Sequence, residues 1–262
     1  MKYVIIGGGH ISRPLTEALL NAKQEVTIVG RTAEKLQLLV DKGAKAAVGS
    51  IEDEPFLTAT FAGADAVFIM LPPNFGVDNL RHYHNILARN YVAAIKASNI
   101  KNVVALSSIG AHMKNGAGPV DGLADMEDLL SHLTDINVKL LRPSYFMYNL
   151  FGMVPMIKQM NIMGGNFGGP EEKLVLVHTN DIAAVAAEEL LALNFTGQTV
   201  RYIASDERTG SEIAEILSNA VDQPGVPWVI FSDEQARVGM KQGGLGDTFA
   251  DGYTSMGKAL RE

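Results

Sequence analysis

Cysteine is absent from this chain of 262 residues, which excludes a disulfide framework, a thiol nucleophile and any cysteine metal site. No apolar run approaches the roughly 18 residues of a membrane span. The strand-like stretch from Ala66 to Leu71 stops at Pro72-Pro73. Runs of five or six like charges are missing too, and a formal net charge of −7 argues against nucleic acid as the main partner. Met1 to Ile6 is too short for a secretory leader and reads as a strand, so the expected address is the cytoplasm. What is present is a 47% apolar fraction beside 19% charged residues, the composition of a globule with a sizeable core. The length suits one large domain or a domain with a small annex.

The most informative stretch is Val4-Ile5-Ile6-Gly7-Gly8-Gly9-His10-Ile11-Ser12, an apolar strand running through a glycine turn into a helix. This arrangement binds the pyrophosphate of a dinucleotide. Gly7 permits the tight turn, and Gly9, without a Cβ, lets the backbone approach phosphate. The helix that follows offers free N–H groups and the positive end of its dipole. Ser12 stands where a third glycine usually allows close packing of helix and strand. After a second strand, Glu25 to Val29, an NAD-preferring unit would place a carboxylate to accept from the adenosine ribose. This chain has Gly30-Arg31-Thr32 there, with Lys35 about a turn further on. A guanidinium donates two parallel hydrogen bonds to a 2′-phosphate, so NADP(H) is expected over NAD(H). The alternative is that Arg31 only caps a surface loop.

Strand-like and helix-like segments alternate through the first half, which predicts an α/β fold of Rossmann type: a doubly wound parallel sheet covered on both faces. Strands are expected at Ala44 to Val48, Ala66 to Leu71, Asn102 to Leu106 and Val138 to Leu141. Helices are expected from about Arg13, near Glu54 to Phe61, from Val77 to Ser98 and around Leu123 to Leu133. After Arg142-Pro143 the chain turns rich in Met, Gly and aromatics. The expected division is a dinucleotide-binding domain over 1–143, with a helix over 181–193 packing back on it. Residues 144–176 and 199–262 then form a small α+β lid. Thr209-x-x-Glu212 and Ser232-x-x-Gln235 read as helix-opening capping boxes.

Several motifs together resemble the NmrA-like branch of the atypical short-chain dehydrogenase/reductases. They are the glycine turn, Val29-Gly30-Arg31, Leu71-Pro72-Pro73-Asn74, Leu106-Ser107-Ser108-Ile109-Gly110, the run from Leu141 to Leu150, and His178-Thr179-Asn180-Asp181-Ile182-Ala183. The resemblance implies that Gly7, Gly8, Gly9, His10, Ile11 and Ser12 hold the pyrophosphate. Arg31, Thr32 and Lys35 would face the 2′-phosphate, while Ser50 and Ile51 border the adenine. Leu71, Pro72, Pro73 and Ser107 would line the ribose–nicotinamide half. Pro143, Ser144, Tyr145 and Phe146 would close over the nicotinamide, and Asn149 would face the substrate. Many relatives carry Asp where Ser50 stands, and their glycine turn is one residue longer.

Short-chain dehydrogenases protonate substrate with a tyrosine whose pKa is lowered by a lysine four residues on. No tyrosine here has that lysine; Tyr91 has Lys96 five residues on. The lysine that some relatives place four residues before a glutamate is Leu123 here, before Glu127. The remaining candidates have two readings each. Ser107 either polarises substrate or satisfies loop backbone. His112 either donates a proton or is a solvated loop residue. Tyr145 either bonds a substrate carbonyl or, with Phe146, roofs the cofactor. His82 and His84 face different sides of one helix, so no metal site is expected. The leading expectation is an NADPH-dependent reductase of a small flat electrophile such as a quinone. One alternative is a non-enzymatic NADP(H)-responsive regulator acting through a protein partner. A nucleotide-sugar epimerase, which needs the missing Tyr–Lys pair, ranks third.

Overall fold

In the computed structural model, which describes residues 1–261, strands and helices alternate from β1 to β6, and the later elements are mixed. The strands are β1 (Lys2–Ile6), β2 (Glu25–Gly30), β3 (Lys45–Val48), β4 (Ala66–Met70), β5 (Asn102–Leu106), β6 (Asn137–Pro143), β7 (Tyr145–Phe146), β8 (Met163–Gly165), β9 (Lys173–Val177), β10 (Gln198–Ile203), β11 (Asp206–Thr209) and β12 (Trp228–Ile230). The helices are α1 (Ser12–Asn21), α2 (Ala33–Val40), α3 (Glu54–Phe61), α4 (Leu80–Ser98), α5 (Asp121–Ser131), α6 (Val154–Met160), α7 (Thr179–Ala192), α8 (Gly210–Ala220), α9 (Asp233–Gln242) and α10 (Asp247–Ala259).

Successive residues of a strand point to opposite faces of its sheet, and β1 shows the consequence. Tyr3 and Ile5 enter one core with Leu15 and Leu19 of α1, Leu36 of α2, and Ile182, Ala186 and Leu190 of α7. Val4 and Ile6 enter the opposite core with Leu57 and Phe61 of α3, Leu87 and Tyr91 of α4, and Met126 and Leu130 of α5. Both faces are therefore covered, as the apolar strands require. The sheet is parallel throughout, in the order β10-β6-β5-β4-β1-β2-β3. Strand order reverses between β1 and β4, and the crevice beyond the carboxyl ends there is the usual ligand position in such sheets.

Local signals set the helix boundaries. Asp53 accepts from the Phe56 N–H at 3.1 Å and opens α3, with proline in its first turn. The predicted start of α4 at Val77 moves to Leu80, because Asn79 caps it by accepting from the His82 N–H at 2.9 Å. Thr209 and Ser232 each form the reciprocal capping box that their sequences suggest.

The chain leaves the main sheet at Ser144. A third core of Leu150, Ile157, Met163, Phe167, Leu174, Ile213 and Trp228 lies under two small sheets, β11-β9-β7 and β12-β8. The division differs from the expected one at one element. Residues 199–203 were assigned to the lid, but β10 pairs in parallel with β6 from Gln198↔Val138 to Ile203↔Pro143 and is the seventh strand of the main sheet. Helix α7, which precedes β10, already packs on that sheet, and its short connection brings the next strand to the free edge of β6.

Candidate functional site

The glycine turn closes β1 at the point of strand reversal. Gly7 has φ +85°, a left-handed backbone that side chains resist, and its N–H donates to the Val29 carbonyl at 2.9 Å. A Cβ on Gly9 would meet nothing within 4 Å, so the turn faces open space where a phosphate would approach. Ile11 and Ser12 contribute differently from the expectation. The Ile11 side chain is buried in the core, leaving only its backbone for an anion. Ser12 is buried, and its hydroxyl donates to the Ile6 carbonyl at 2.7 Å. Ser12 thus closes the helix–strand contact that a glycine usually provides, and its hydroxyl is spent on the protein.

The residues expected at the adenosine end lie beyond β2 and β3. Arg31 and Lys35 are exposed. Thr32 precedes α2 in an extended conformation with its hydroxyl uninvolved in capping. Ser50 is half-buried and its Oγ accepts from the Glu52 N–H at 3.2 Å. Ile51 packs on the core, and Asn90 of α4 holds this loop by donating to the Glu52 carbonyl at 2.9 Å. Tyr83, also of α4, bonds the Glu52 carboxylate at 3.2 Å. Burial pushes the Tyr83 phenol up and Glu52 adds to the rise, while Asn74 and Arg31 oppose it. Arg31 therefore lies beside this cluster. Tyr83 and Asn90 are residues that the sequence reading missed, since a helix-face tyrosine and asparagine carry no motif.

Two further α4 side chains fix the exit of β4, where Leu71, Pro72 and Pro73 stand. The Tyr91 hydroxyl donates to the Met70 carbonyl at 2.9 Å. His84, buried, meets the Pro72 carbonyl through Nε2 at 3.2 Å. A carbonyl accepts only, so Nε2 carries a proton. Its Nδ1 is buried without a partner, facing the backbone of Gly122, where a Cβ would approach it to 2.7 Å. Burial holds the His84 pKa below its ordinary value. The folded state consequently disfavours the charged ring, so its stability contribution is complete above the unfolded pKa of about 6.5. That contribution is lost as pH falls through the lowered folded value. Urea midpoints should fall from pH 7 towards 5 more steeply in the wild type than in H84Q, which keeps a donor for Pro72 but does not titrate. Parallel profiles would remove His84 from the acid transition.

The carboxyl ends of β5 and β6 carry the catalytic candidates. Ser107 is buried and donates its proton to Glu127 of α5. Glu127 in turn pairs with Arg142 of β6, whose Nε donates to it at 2.9 Å. A serine hydroxyl has one proton, so Ser107 in this arrangement accepts but cannot polarise a carbonyl by donation. The second of its two readings, satisfying local structure, is the one the geometry favours, although its partner is a side chain rather than backbone. His112 is exposed in a short 3₁₀ turn over Ala111–Met113. Asn149 is exposed too.

Tyr145 and Phe146 are consecutive in β7 and point opposite ways. Tyr145 packs in the lid core, 5.3 Å from the Phe167 ring, whereas Phe146 packs against the main core. They do not share one face as the expected roof required. Burial pushes the Tyr145 phenol up, and the nearby Tyr253 of α10 adds to the rise. Tyr253 is a second tyrosine with no sequence signal. Next to Tyr145, at the end of β6, the Ser144 hydroxyl is buried with no partner. An orphaned donor costs about 1–3 kcal/mol. On the other side of the β4 exit loop, α10 stacks Phe249 on Phe75 at 5.3 Å beside a cavity of about 230 Å³ lined by Leu80, Arg81 and Pro119. Among the described residues no cluster of three or more His, Asp or Glu side chains is placed to hold a metal, and no helix is long and apolar enough to cross a membrane.

A glycine turn at the reversal of a doubly wound parallel sheet, open above Gly9, defines a dinucleotide-binding α/β protein. The chain belongs to the NAD(P)H-binding family, which matches residues 7–192. It is 26% identical over 258 residues to the NAD(P)H azoreductase of Xenophilus azovorans, covering 98% of this chain and 86% of that one. Its fold matches an NADPH-dependent quinone oxidoreductase of Escherichia coli solved with NADPH, with a TM-score of 0.83, 22% identity, and coverage of 99% of this chain and 91% of that one. It also matches a nucleoside-diphosphate-sugar epimerase of Staphylococcus aureus, with a TM-score of 0.82, 19% identity, and coverage of 100% and 92%.

Proposed function

We propose that this chain is an NADPH-dependent reductase of a small, flat electrophile such as a quinone or an azo compound, within the NmrA-like branch. The single observation that carries the reading is Tyr145. It is the tyrosine beside the orphaned Ser144, and burial raises its pKa, the opposite of what a tyrosine acid catalyst needs. A site without a tuned acid suits a substrate that spreads the added charge over a conjugated system and takes its proton from water. The azoreductase that is similar over nearly the whole chain supports the same class.

In this reading the backbone of Gly7 to Ile11, with His10 beside it, holds the pyrophosphate. Arg31, Thr32 and Lys35 hold the 2′-phosphate, and Ser50 and Ile51 border the adenine. Leu71, Pro72, Pro73, Pro143 and Ser144 line the ribose–nicotinamide half, with the Ser144 hydroxyl free to meet a polar group there. The bound cofactor supplies a hydride. The protein orients the reactants and keeps water out. His84 and Tyr91 contribute by fixing the carbonyls of Pro72 and Met70. Phe146, turned to the main core, supports the wall from behind, while His112 and Asn149 stand at its solvent edge.

NADPH oxidation, followed by its absorbance across quinones, azo dyes and aldehydes, tests the proposal. Turnover of quinones or azo dyes well above aldehydes is expected. Tight NADPH binding with no turnover of any compound would replace the reductase by the NADP(H)-responsive regulator and direct the search to a protein partner. Within an active enzyme, Y145F should lower turnover by less than about tenfold, because acid catalysis is worth roughly 100- to 10,000-fold. A loss in the larger range would make Tyr145 the acid.

A further inference from the structure

The glycine turn and the lid touch through a pair of rings, of which the proposed function uses only His10. His10 stands one residue past Gly9, exposed. Tyr148 projects from the 3₁₀ segment Met147–Met153, and the two ring centroids lie 4.1 Å apart with planes tilted by 37°. Phe151 packs edge-on against Tyr148 at 5.7 Å. The segment carrying them is pinned from below by Leu150 and, just beyond, Ile157, both buried in the lid core. Tyr148 and Phe151 remain 47% and 61% exposed. A tyrosine that stacks on the turn of another layer while its neighbours anchor in the lid makes a bridge across the mouth of the cleft.

We propose that Tyr148 belongs to the cofactor site: its stack on His10 closes a strap over the pyrophosphate position and sets how fast the cofactor leaves. The placement is at that end of the cleft, because Gly9, next to His10, is the one of the turn's three glycines whose missing Cβ leaves open space. An imidazole N–H and a phenol O–H then flank a dianion already met by the backbone of the turn. Release of the cofactor requires the two rings to part. The inference rests on the reading of the turn as an NADPH site.

The experiment is stopped-flow displacement of NADPH, read by its fluorescence, from wild type, H10A, Y148A, Y148F and the double variant H10A/Y148A. An exposed aromatic pair corresponds to about threefold to tenfold in a rate or equilibrium constant, so H10A and Y148A should each speed dissociation by about that factor. The double variant should be no faster than the quicker single variant, because the stack is lost once. Y148F keeps the ring and should stay within about twofold of wild type, because the strap is the stack; acceleration equal to that of Y148A would overturn it. Both residues are exposed, and unchanged thermal melting would show that the fold is kept. If wild type binds NADPH and Y148A releases it at the wild-type rate, the strap is wrong while the cofactor site stands. Double-variant acceleration equal to the product of the two single effects would likewise overturn it. A wild type that binds no NADPH overturns both.

Discussion

Replacing Arg142 by methionine should cost about 3–5 kcal/mol of stability, the usual loss when one partner of a buried ion pair is removed. The side chains of Arg142 and Glu127 are only 12% and 9% exposed, so solvent screens them little. The guanidinium grips the carboxylate through Nε and Nη2, and its Nη1 donates to the Tyr202 hydroxyl at 2.9 Å. The Glu127 hydrogen bond, and to a smaller degree Tyr202, pushes the Arg142 pKa up, so the guanidinium is charged at every accessible pH. In R142M the Glu127 carboxylate would be left in the interior with Ser107 as its remaining side-chain donor. That is the expensive half of a broken pair. The double change E127M/R142M should recover most of the loss, because apolar groups of similar volume replace a buried pair at little net cost. Urea denaturation of the three proteins measures both effects. A cost below about 1 kcal/mol for R142M would place the pair in the weak class of solvated surface bridges.

This pair also shows where the sequence stopped being readable. The parallel, doubly wound class of the sheet and the helix faces follow from period and from short connections, which local sequence records directly; the strand order comes from the structure. The glycine turn and the two capping boxes are contiguous strings, whereas the Asn79 cap, which shortens α4, was not read. Glu127, Arg142 and Ser107 are separated by 15 and 20 residues and meet only because α5 packs across the ends of β5 and β6. The expected sixth strand ended at Leu141, short of Arg142, whereas β6 runs on to Pro143 and carries Arg142 to Glu127. Likewise Ser12 occupies the third-glycine position, but whether its hydroxyl faces a phosphate or the Ile6 carbonyl depends on a side-chain rotamer that spacing does not encode. Tyr145 and Phe146 looked like one roof because they are adjacent, although the two-residue period of a strand sends them to separate cores. The membership of β10 in the main sheet was missed because its alternating pattern, with Val200 and Tyr202 exposed, is that of an edge strand and fits the lid equally well.

Cofactor preference should depend on one guanidinium. Arg31 stands immediately after β2, exposed, with the α2 N-terminus, the unspent Thr32 hydroxyl and Lys35 around it. Among the described residues it makes no ion pair with a carboxylate. Glu52, the acid on the neighbouring loop, follows β3 and is engaged by Tyr83, so no carboxylate occupies the position that accepts from an NAD ribose. A charge-assisted hydrogen bond contributes roughly 1.5–3 kcal/mol net, which predicts NADPH binding about ten- to a hundredfold tighter than NADH binding. R31A should erase most of that ratio through NADPH alone. NADH should bind nearly as before, because the turn from Gly7 to Ser12 is untouched. R31D should invert the ratio by repelling the 2′-phosphate and accepting from a free ribose hydroxyl. Calorimetric titration of both cofactors into the three proteins decides between the two readings of Arg31. Equal wild-type affinities would reduce Arg31 to a loop cap and remove the NADP preference with it. A preference that survives R31A intact would transfer the phosphate contact to Lys35 and the α2 N-terminus.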